Sequence, residues 1–216
     1  MRLVAEGVVV SFAGRARAVL DGADFEAGTG QTVAILGPSG SGKSTLLSVL
    51  GGLVRPSIGS VHVVDEASHD PRAPRDVTSW VLQTTNMLPE RTALDNVAVA
   101  AQIAGVPRQE AVEQATDLLT SVGLRDLRRV PTRLLSGGEV QRVAVARALA
   151  SRRPFILADE PTGQLDHSST EVVLDALFTA VTAHGRQCGL VIVTHDPSVA
   201  ERCDHTVRIE DGRVAA

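Results

Sequence analysis

The stretch that most constrains this chain is Gly37-Pro-Ser-Gly-Ser-Gly-Lys-Ser-Thr45, which fits the pattern G-x-x-x-x-G-K-[ST]. The apolar run TVAIL precedes it and the helix-like run STLLSVLGGL follows. Glycines at these positions let the backbone wrap a polyphosphate, so that successive N–H groups point at its oxygens. The N-terminus of the following helix adds partial positive charge. The sequence therefore predicts a phosphate-binding loop between a strand and a helix.

The residues of this loop divide into backbone donors and two side chains with their own chemistry. Lys43 would reach the β- and γ-phosphates, and the Ser44 hydroxyl would ligate Mg²⁺. Of the 21 Lys and Arg residues, all but Lys43 are arginine, so a compact point charge is used only here. The predicted phosphate-binding residues are Gly37, Pro38, Ser39, Gly40, Ser41, Gly42, Lys43, Ser44 and Thr45.

Strand-like and helix-like runs alternate along the chain, which predicts a parallel sheet covered on both faces. The predicted strands are 7–12, 31–36, 60–64, 77–83, 155–158 and 190–194, with a β-like tail at 205–214. Helices are predicted at 92–105, 108–123 and 168–184, and residues 65–76 read as a polar surface loop. In the second helix, Ala111, Val112, Ala115, Leu118, Leu119 and Val122 are predicted to share one apolar face.

Two acidic residues follow the apolar run FILA at the end of a predicted buried strand. In open α/β sheets, ligands bind at the carboxyl ends of the strands, where Asp159 and Glu160 would lie. Asp159 would hold the Mg²⁺ shell through water, and Glu160 is placed to polarise an attacking water as general base. The alternative is a surface acidic pair that only ends a strand, and the phosphate-binding loop argues against it.

Two further polar residues close predicted strands. His195 ends the run LVIVTHD, where it is either a capping or core histidine or a partner of the γ-phosphate. In the second case a neutral imidazole would hold the water and Glu160 in register. Gln83 closes the run VTSWVLQ and could reach the metal or the water.

A second glycine pair stands in LSGGEVQR, ahead of a helix predicted from Val140 to Arg152. Ser136 and Glu139 form the S-x-x-E pattern of a capping box. Gly137 and Gly138 remove side chains from the mouth of the helix and expose its N–H groups and dipole to an anion. This surface has no lysine and no metal ligand, so it would complete a site rather than form one.

The phosphate-binding loop, Gln83, LSGGEVQR, ILADE, the segment GQLD and His195 occur in the order and spacing of ABC-type ATPases. The chain resembles that family over essentially its whole length. The resemblance implies an α/β P-loop NTPase fold of the ABC-ATPase type, with a mainly parallel sheet, an N-terminal antiparallel β subdomain and a helical subdomain at about 84–150. Residues 1–216 would form one such domain. It also implies ATP hydrolysis with Mg²⁺, in which Ser44, Gln83 and Asp159 serve the metal.

In that family two ATPase domains pair head to tail, and each ATP lies between the phosphate-binding loop of one and the LSGG segment of the other. The two glycine-rich helix entrances of this chain would then serve two different nucleotides. The resemblance places Phe12 against adenine, where a tyrosine is more usual, and Asp166 in the segment that links the two sites across the dimer.

The helical insertion and the residues after Gln83 resemble the surface that docks coupling helices of a membrane subunit. The runs LLSVLGGLVRPSIGSV and NMLPERTALDNV look most like the subgroup that works in lipoprotein release and macrolide-type export. The resemblance implies a homodimer, or a pair with a second ABC ATPase, that powers separate transmembrane permease subunits. Such a protein would be cytoplasmic and peripheral on the inner face of the cell membrane.

Two other functions belong to different classes. A soluble ABC ATPase acting on nucleic acid or ribosomes generally fuses two cassettes or inserts a long coiled coil. The net charge of −4 also argues against non-specific nucleic-acid binding. A module that binds ATP without turnover would not need both Glu160 and His195.

Composition limits the compartment. The run MRLVAEGVVV lacks the long apolar core of a signal peptide, and no apolar run approaches the ~18 residues that span a bilayer. We therefore expect any membrane contact to be made through a partner. Cys188 and Cys203 show no metal or redox spacing and are expected to be unpaired thiols.

Overall fold

The computed structural model describes residues 1–14, 17–66, 72–83, 86–163, 165–182 and 188–215. Its strands are β1 (Arg2–Val10), β2 (Leu20–Gly28), β3 (Thr32–Leu36), β4 (Ile58–Val64), β5 (Thr78–Val81), β6 (Phe155–Asp159), β7 (Gly189–Val193), β8 (His205–Glu210) and β9 (Arg213–Ala215). Its α-helices are α1 (Lys43–Leu50), α2 (Pro74–Val77), α3 (Ala93–Ile103), α4 (Arg108–Ser121), α5 (Gly137–Ala150), α6 (His167–Thr182) and α7 (Pro197–Glu201).

The strands form two sheets. The larger has the order β5-β6-β7-β3-β8-β9, in which only β9 pairs antiparallel with its neighbour. The smaller has the order β2-β1-β4 and is antiparallel throughout. The mainly parallel sheet and the antiparallel N-terminal sheet are both confirmed. Because β7 lies between β6 and β3, the carboxyl ends of these three strands meet at one edge.

The central strands are apolar because both faces of the sheet are covered. Successive residues of β3 alternate between two cores: Ala34 packs with the helices α3 to α6, whereas Val33 and Ile35 pack with α1 and the smaller sheet. β6 and β7 alternate in the same way, and all five residues of β7 are buried. Continuous apolar strands therefore mark a sheet between two layers rather than one with a wet face.

The helical insertion consists of α3, α4 and α5, which pack against one another. The helices α3 and α4 confirm the two helices predicted in this region. Ala111, Ala115 and Leu119 are fully buried on the predicted face of α4, Val122 is buried directly after the helix, and Leu118 packs against the same core. Val112 is an exception, with 36% of its surface exposed. It lies about 100° around the helix from Ala111, so it falls at the edge of the stripe.

Several predicted boundaries were wrong. The strand β2 was missed because its sequence, LDGADFEAG, is rich in Gly, Asp and Glu, which are poor strand formers. Pairing with β1 overrides that weakness, and Leu20, Ala23, Phe25 and Ala27 point into the core. Residues 65–76 were predicted as loop, but Pro74–Val77 forms α2, with proline in its first turn. Residues 67–71 of that prediction lie outside the described residues.

Two corrections concern elements that carry site residues. The strand β5 ends at Val81, so Gln83 does not close it, because the Leu82 carbonyl accepts a hydrogen bond from the Gln141 side chain at 3.4 Å. The helix α5 begins at Gly137 and ends at Ala150, so it starts three residues before the prediction and includes both glycines. The capping box sets that start, because the Ser136 hydroxyl caps from the residue before Gly137.

Candidate active site

The glycine-rich loop joins the end of β3 to the start of α1, as its flanking sequence predicts. Gly42 precedes α1 with φ of 109°, and α1 has no side-chain cap. Its first N–H groups are therefore suited to an anion. A Cβ on Gly42 would lie 2.8 Å from the Val19 carbonyl oxygen, and one on Gly37 would lie 2.2 Å from that of Ile209. Glycine is required at both positions by the chain's own packing.

The Lys43 ammonium group lies inside this loop. Its Nζ donates to the carbonyl oxygens of Gly37 at 2.8 Å and Pro38 at 3.0 Å, and only 8% of the residue is exposed. The loop is thus closed around a desolvated cation, and a phosphate oxygen can replace these neutral acceptors with a charged one. Such charge-assisted hydrogen bonds are roughly twice as strong as neutral ones.

Ser44 and Asp159 meet although they are far apart in sequence. The Ser44 hydroxyl donates to Asp159 Oδ1 at 3.1 Å. Burial raises the pKa of Asp159, and the neighbouring Glu160 carboxylate also raises it, while Ser44 and Lys43 oppose the shift. The charged form of Asp159 is therefore disfavoured by its surroundings, and a cation bound beside it would relieve that cost.

Glu160 and His195 are the second pair of predicted residues that lie close together at the carboxyl ends of β6 and β7. His195 Nδ1 lies 3.4 Å from Glu160 Oε2, with the two side chains 70% and 25% exposed. Glu160 has φ of 45°, which is unusual for a residue other than glycine, and its N–H donates to the Val193 carbonyl at 3.0 Å. Backbone strain of this kind costs about 1–3 kcal/mol and clusters at functional sites. The N–H contact ties the backbone of Glu160 to β7, the strand that precedes His195.

The structure argues against the alternative roles of His195. Its side chain is too exposed for a core histidine, and the N-cap of α7 is Asp196, which accepts from the Ser198 N–H. What remains is an exposed imidazole beside Glu160 at the carboxyl end of β7.

The second glycine-rich entrance has a different construction. Ser136 Oγ accepts from the Glu139 N–H at 3.3 Å, and Glu139 Oε2 accepts from the Ser136 N–H at 2.7 Å. The predicted capping box is thus confirmed. Among the described residues, a Cβ on Gly137 would meet no atom within 4 Å, and one on Gly138 would meet Leu165 Cδ2 at 3.2 Å. The described part of the chain therefore leaves the mouth of α5 open at Gly137.

Three predicted site residues lie apart from the Glu160 cluster in their contacts. Phe12 is 44% exposed in the segment after β1. Gln83 is exposed beyond the end of β5. Asp166 accepts the Ser169 N–H at 2.9 Å at the start of α6, and hydrogen bonds from Ser168 and Ser169 lower its pKa to about 2.

The sequence analysis did not predict the side-chain hydrogen bonds that connect α5 to neighbouring segments. Arg142 Nη1 donates to Ser169 Oγ at 2.8 Å, and Arg147 Nη1 donates to the Asn86 carbonyl at 2.6 Å. Burial lowers the pKa of Arg147. The sequence does contain a signal for them. In the run VQRVAVARALA, Gln and Arg residues stand in a helix whose other residues are all apolar and mostly small, which indicates polar side chains with partners in the packed structure. Gln141, for example, is only 4% exposed.

No helix within the described ranges is both long and apolar enough to cross a membrane. Cys188 is buried, and Cys203 is partly exposed.

Comparison with known proteins gives a consistent result. A family model described as ABC transporter matches residues 20–163. Lipoprotein-releasing system ATP-binding protein LolD 1 of Rhodospirillum rubrum is 42% identical over 204 residues, which are 92% of this chain and 89% of that protein. Macrolide export ATP-binding/permease protein MacB 1 of Yersinia pestis is 43% identical over 205 residues, which are 92% of this chain and 31% of that protein.

A solved structure extends the similarity to three dimensions. It is a dimeric ATP-binding cassette in a post-hydrolysis state, bound to ADP and Pi. It superimposes with a TM-score of 0.87 at 31% identity and covers 99% of this chain and 97% of that chain.

Proposed function

This chain belongs to the ABC transporter family, and we propose that it is the ATP-hydrolysing subunit that powers a separate membrane permease. The LolD relative, of which the chain spans 89%, is named as an ATP-binding protein alone. The MacB relative is named for both ATP binding and permease, and the chain spans 31% of it. These two relatives support work in export or lipoprotein release. The permease would hold the subunit at the inner face of the membrane.

The observation that carries this proposal is the meeting of four predicted residues at one sheet edge. Ser44 contacts Asp159 at 3.1 Å, and Glu160 contacts His195 at 3.4 Å. The loop that encloses Lys43 adjoins them, because it follows β3 in the order β6-β7-β3. The residues proposed as phosphate donors, metal ligands and general base thus lie together, as a nucleotide bound at this edge would require.

The oxygen donors in this cluster fit Mg²⁺. The Ser44 hydroxyl and Asp159 carboxylate are the hard ligands that this ion prefers, and Mg²⁺ usually takes one or two carboxylates together with substrate phosphates. Bound there with Gln83 as a further ligand, Mg²⁺ would neutralise charge on the β- and γ-phosphates.

In the proposed mechanism, Lys43 and the N–H groups of the loop bind the phosphates of ATP. Glu160 accepts a proton from the attacking water as general base. His195 donates a hydrogen bond to the γ-phosphate and holds Glu160 toward the water. The strained backbone of Glu160 supports this role, because strain of this kind clusters at functional sites.

The presence of two glycine-rich helix entrances in one chain supports a head-to-tail dimer. Gly137, at the mouth of α5, is not demanded by contacts with the described residues, since a Cβ there would meet none of their atoms within 4 Å. The absence of a side chain at Gly137 is explained if the ATP of a second copy, or of a second ABC ATPase, approaches this helix N-terminus. The dimeric state of the solved neighbour supports that arrangement.

The test uses Glu160→Gln, which keeps size and hydrogen bonding but removes the base. Bound ATP should persist and hold the dimer closed, so this variant should elute from size exclusion as a monomer without nucleotide and as a dimer with ATP. Adding Ser136→Arg should abolish the dimer, because the long cation would occupy the place of the partner's γ-phosphate.

Two matched variants control for indirect effects. Ser136→Ala removes the same cap, at about 1 kcal/mol of helix stability, without adding a cation. Ser121→Arg adds the same cation at the exposed end of α4. Both should retain the ATP-dependent dimer. A Glu160→Gln chain that stays monomeric at saturating ATP, or a dimer indifferent to Ser136→Arg, would contradict the proposed sandwich.

A further inference from the structure

A groove of about 1120 Å³ lies between α4 and α6, away from the candidate active site. Pro154 and Cys188, which directly precede β6 and β7, are part of its lining. The groove is thus at the amino ends of the two strands whose carboxyl ends carry Asp159 and His195. Small-molecule sites usually measure ~300–1,000 Å³, so the size of this α4–α6 groove favours a larger occupant.

The floor of the α4–α6 groove is apolar. It is the place where the core between the larger sheet and the helices α3 to α6 comes to the surface. Leu118, Leu149, Ala176 and Ala180 line the groove, pack against that core and are only partly buried. Apolar side chains of a partner would therefore complete the packing of this core and remove its exposed part from water.

The shape of the groove follows from the helices that form it. Both α4 and α6 pack against α5, whose last turn contributes to the floor. The lining residues of α4 lie on one face and extend from Glu110 to Ser121, which is about three helical turns or ~17 Å. A groove of this length between two helices can accept an amphipathic helix of about three turns.

The charged groups that line the groove are four carboxylates, two guanidinium groups and the N-terminal amino group, which belong to Glu110, Glu113, Asp117, Asp175, Arg152, Arg153 and Met1. Arg152 pairs with Glu110 at 2.9 Å, and Arg153 donates to the Asp76 carbonyl. The Met1 amino group donates to the Thr29 hydroxyl at 3.4 Å. The cations of the groove are thus already engaged with groups of this chain.

The carboxylates are not neutralised to the same extent. Asp175 pairs with Arg202 at 2.7 Å. Glu113 accepts a hydrogen bond from the neutral Gln109 amide at 3.3 Å, and the Asp117 carboxylate has no hydrogen bond or ion pair with the described residues. Glu113 and Asp117 are four positions apart on α4, so they lie on the same face of the helix. Two exposed carboxylates without a cation therefore stand beside the apolar floor.

We propose that the α4–α6 groove binds a basic amphipathic helix of a partner protein. The apolar residues of that helix, spaced i, i+3, i+4 and i+7, cover Leu118 and Leu149, and its Lys or Arg residues pair with Glu113 and Asp117. The strands β6 and β7 have five residues each and separate this groove from the nucleotide site by about 17 Å. The partner helix therefore does not compete with ATP.

The test uses the whole chain without nucleotide and two fluorescein-labelled synthetic peptides of 14 residues, the length of α4. The first peptide has Leu in the i, i+3, i+4, i+7 pattern and Lys on both sides of that stripe. The second has Glu in place of every Lys. Binding is measured by fluorescence anisotropy, and the melting temperature of each protein variant is measured by calorimetry.

The charge of the groove is reversed in the double variant Glu113→Lys with Asp117→Lys. The matched control is Asp126→Lys with Glu201→Lys, which makes the same change in net charge at two exposed positions outside the groove. The Lys peptide should bind the unsubstituted chain and the control alike, and the groove variant at least about tenfold more weakly, because two attractive contacts become repulsive. The Glu peptide should show the opposite preference and bind the groove variant best.

A second pair of variants tests the apolar floor. Ala176→Phe places a ring inside the groove, whereas Thr120→Phe places the same ring on the exposed side of α4, outside the groove. Only Ala176→Phe should weaken binding of the Lys peptide, by about tenfold. Should Ala176→Phe lower the melting temperature so far that the chain unfolds, the charge variants decide the question.

Several outcomes would overturn the proposal. These are no binding of the Lys peptide to the unsubstituted chain, equal binding to the unsubstituted chain and the groove variant, and displacement of the peptide by saturating ATP. A nucleotide-free dimer that Ala176→Phe abolishes would also overturn it, since the occupant would then be a second copy of this chain. ATP hydrolysis plays no part in the measurement, so failure here is distinct from failure of the proposed function.

Discussion

The two glycine-rich helix entrances of this chain use glycine for opposite reasons. Before α1, Gly42 has a left-handed backbone with φ of 109°, and a Cβ there would meet the Val19 carbonyl at 2.8 Å. At the mouth of α5, Gly137 lies inside the helix, and a Cβ there would meet no atom of the described residues within 4 Å. The first glycine is needed by the fold, whereas the described contacts do not require the second.

The caps differ in the same sense. α1 has no side-chain cap, and the Lys43 ammonium group lies inside the preceding loop. The first N–H groups of α1 and this ammonium group are therefore suited to an anion bound by the same chain. α5 has a complete capping box of Ser136 and Glu139, so side chains of this chain already satisfy part of its first turn. A sequence feature that the chain does not need for its own packing points to something outside the chain. The following predictions test that contrast.

The largest effect is expected from Lys43→Ala, which removes the cation of the first entrance alone. Affinity for ATP should fall at least about a hundredfold, because a buried phosphate charge loses its main partner, at ~3–5 kcal/mol. Titration calorimetry at micromolar ATP should show no binding. Undiminished affinity would remove Lys43 from the site.

A mixing experiment tests whether the second entrance of the Lys43→Ala chain can still bind the ATP of a partner. In the Glu160→Gln background, the Lys43→Ala and Ser136→Arg chains should each stay monomeric with ATP. Their mixture should recover some dimer, since one interface then pairs an intact phosphate-binding loop with an intact LSGG segment. No recovery at any ATP concentration would mean that one sound site cannot close the pair.

His195→Ala should separate turnover from binding at the first entrance. The imidazole is 70% exposed and contacts Glu160 at 3.4 Å, so its loss should cost little stability. Turnover should fall by about a hundredfold if His195 makes a transition-state contact, with ATP affinity unchanged. Rapid-quench phosphate release and nucleotide titration measure the two quantities. An equal loss of both would make His195 a structural residue.

The smallest effects come from placing the same methyl group at each entrance. Gly42→Ala should destabilise the chain by about 2 kcal/mol, from its left-handed backbone and from crowding against Val19. Gly137→Ala should leave stability unchanged or raise it by up to about 1 kcal/mol, since alanine is the better helix former. Urea unfolding measures both changes.

The informative outcome is a Gly137→Ala variant whose monomer keeps its stability while its ATP-dependent dimer becomes weaker. In the Glu160→Gln background, Gly137→Ala should weaken the ATP-dependent dimer although the monomer is at least as stable. If Gly137→Ala destabilises the monomer as much as Gly42→Ala does, the second glycine also serves the fold, and the contrast between the entrances disappears.

Much of the site could be predicted because its chemistry is local in sequence. The phosphate-binding loop, the acidic end of β6 and the capping box of Ser136 and Glu139 are each written within about nine neighbouring residues. Their geometry follows from bonds between residues a few positions apart, such as the 3.3 Å contact from the Glu139 N–H to Ser136. Where neighbours decide the structure, the pattern and the structure agree.

The predictions of strands were wrong where contacts between residues far apart in sequence decide the structure. The strand β2 forms from poor strand residues because β1 provides its partner. The strand β5 stops at Val81, and the Leu82 carbonyl is taken by Gln141 of α5. Local propensity is weak compared with such contacts, which are absent from any short window of sequence.

By itself the sequence predicted a set of residues for the chemistry, and it correctly predicted that strands end beside Asp159 and His195. Only the tertiary structure decided which of them meet: Ser44 with Asp159, Glu160 with His195, and Arg142 with Ser169. The reason is that alternating strands and helices specify a parallel sheet but not its strand order, and the order β6-β7-β3 is what brings the three strand ends together. That order is set by packing of two apolar cores on opposite faces, a property of the whole chain.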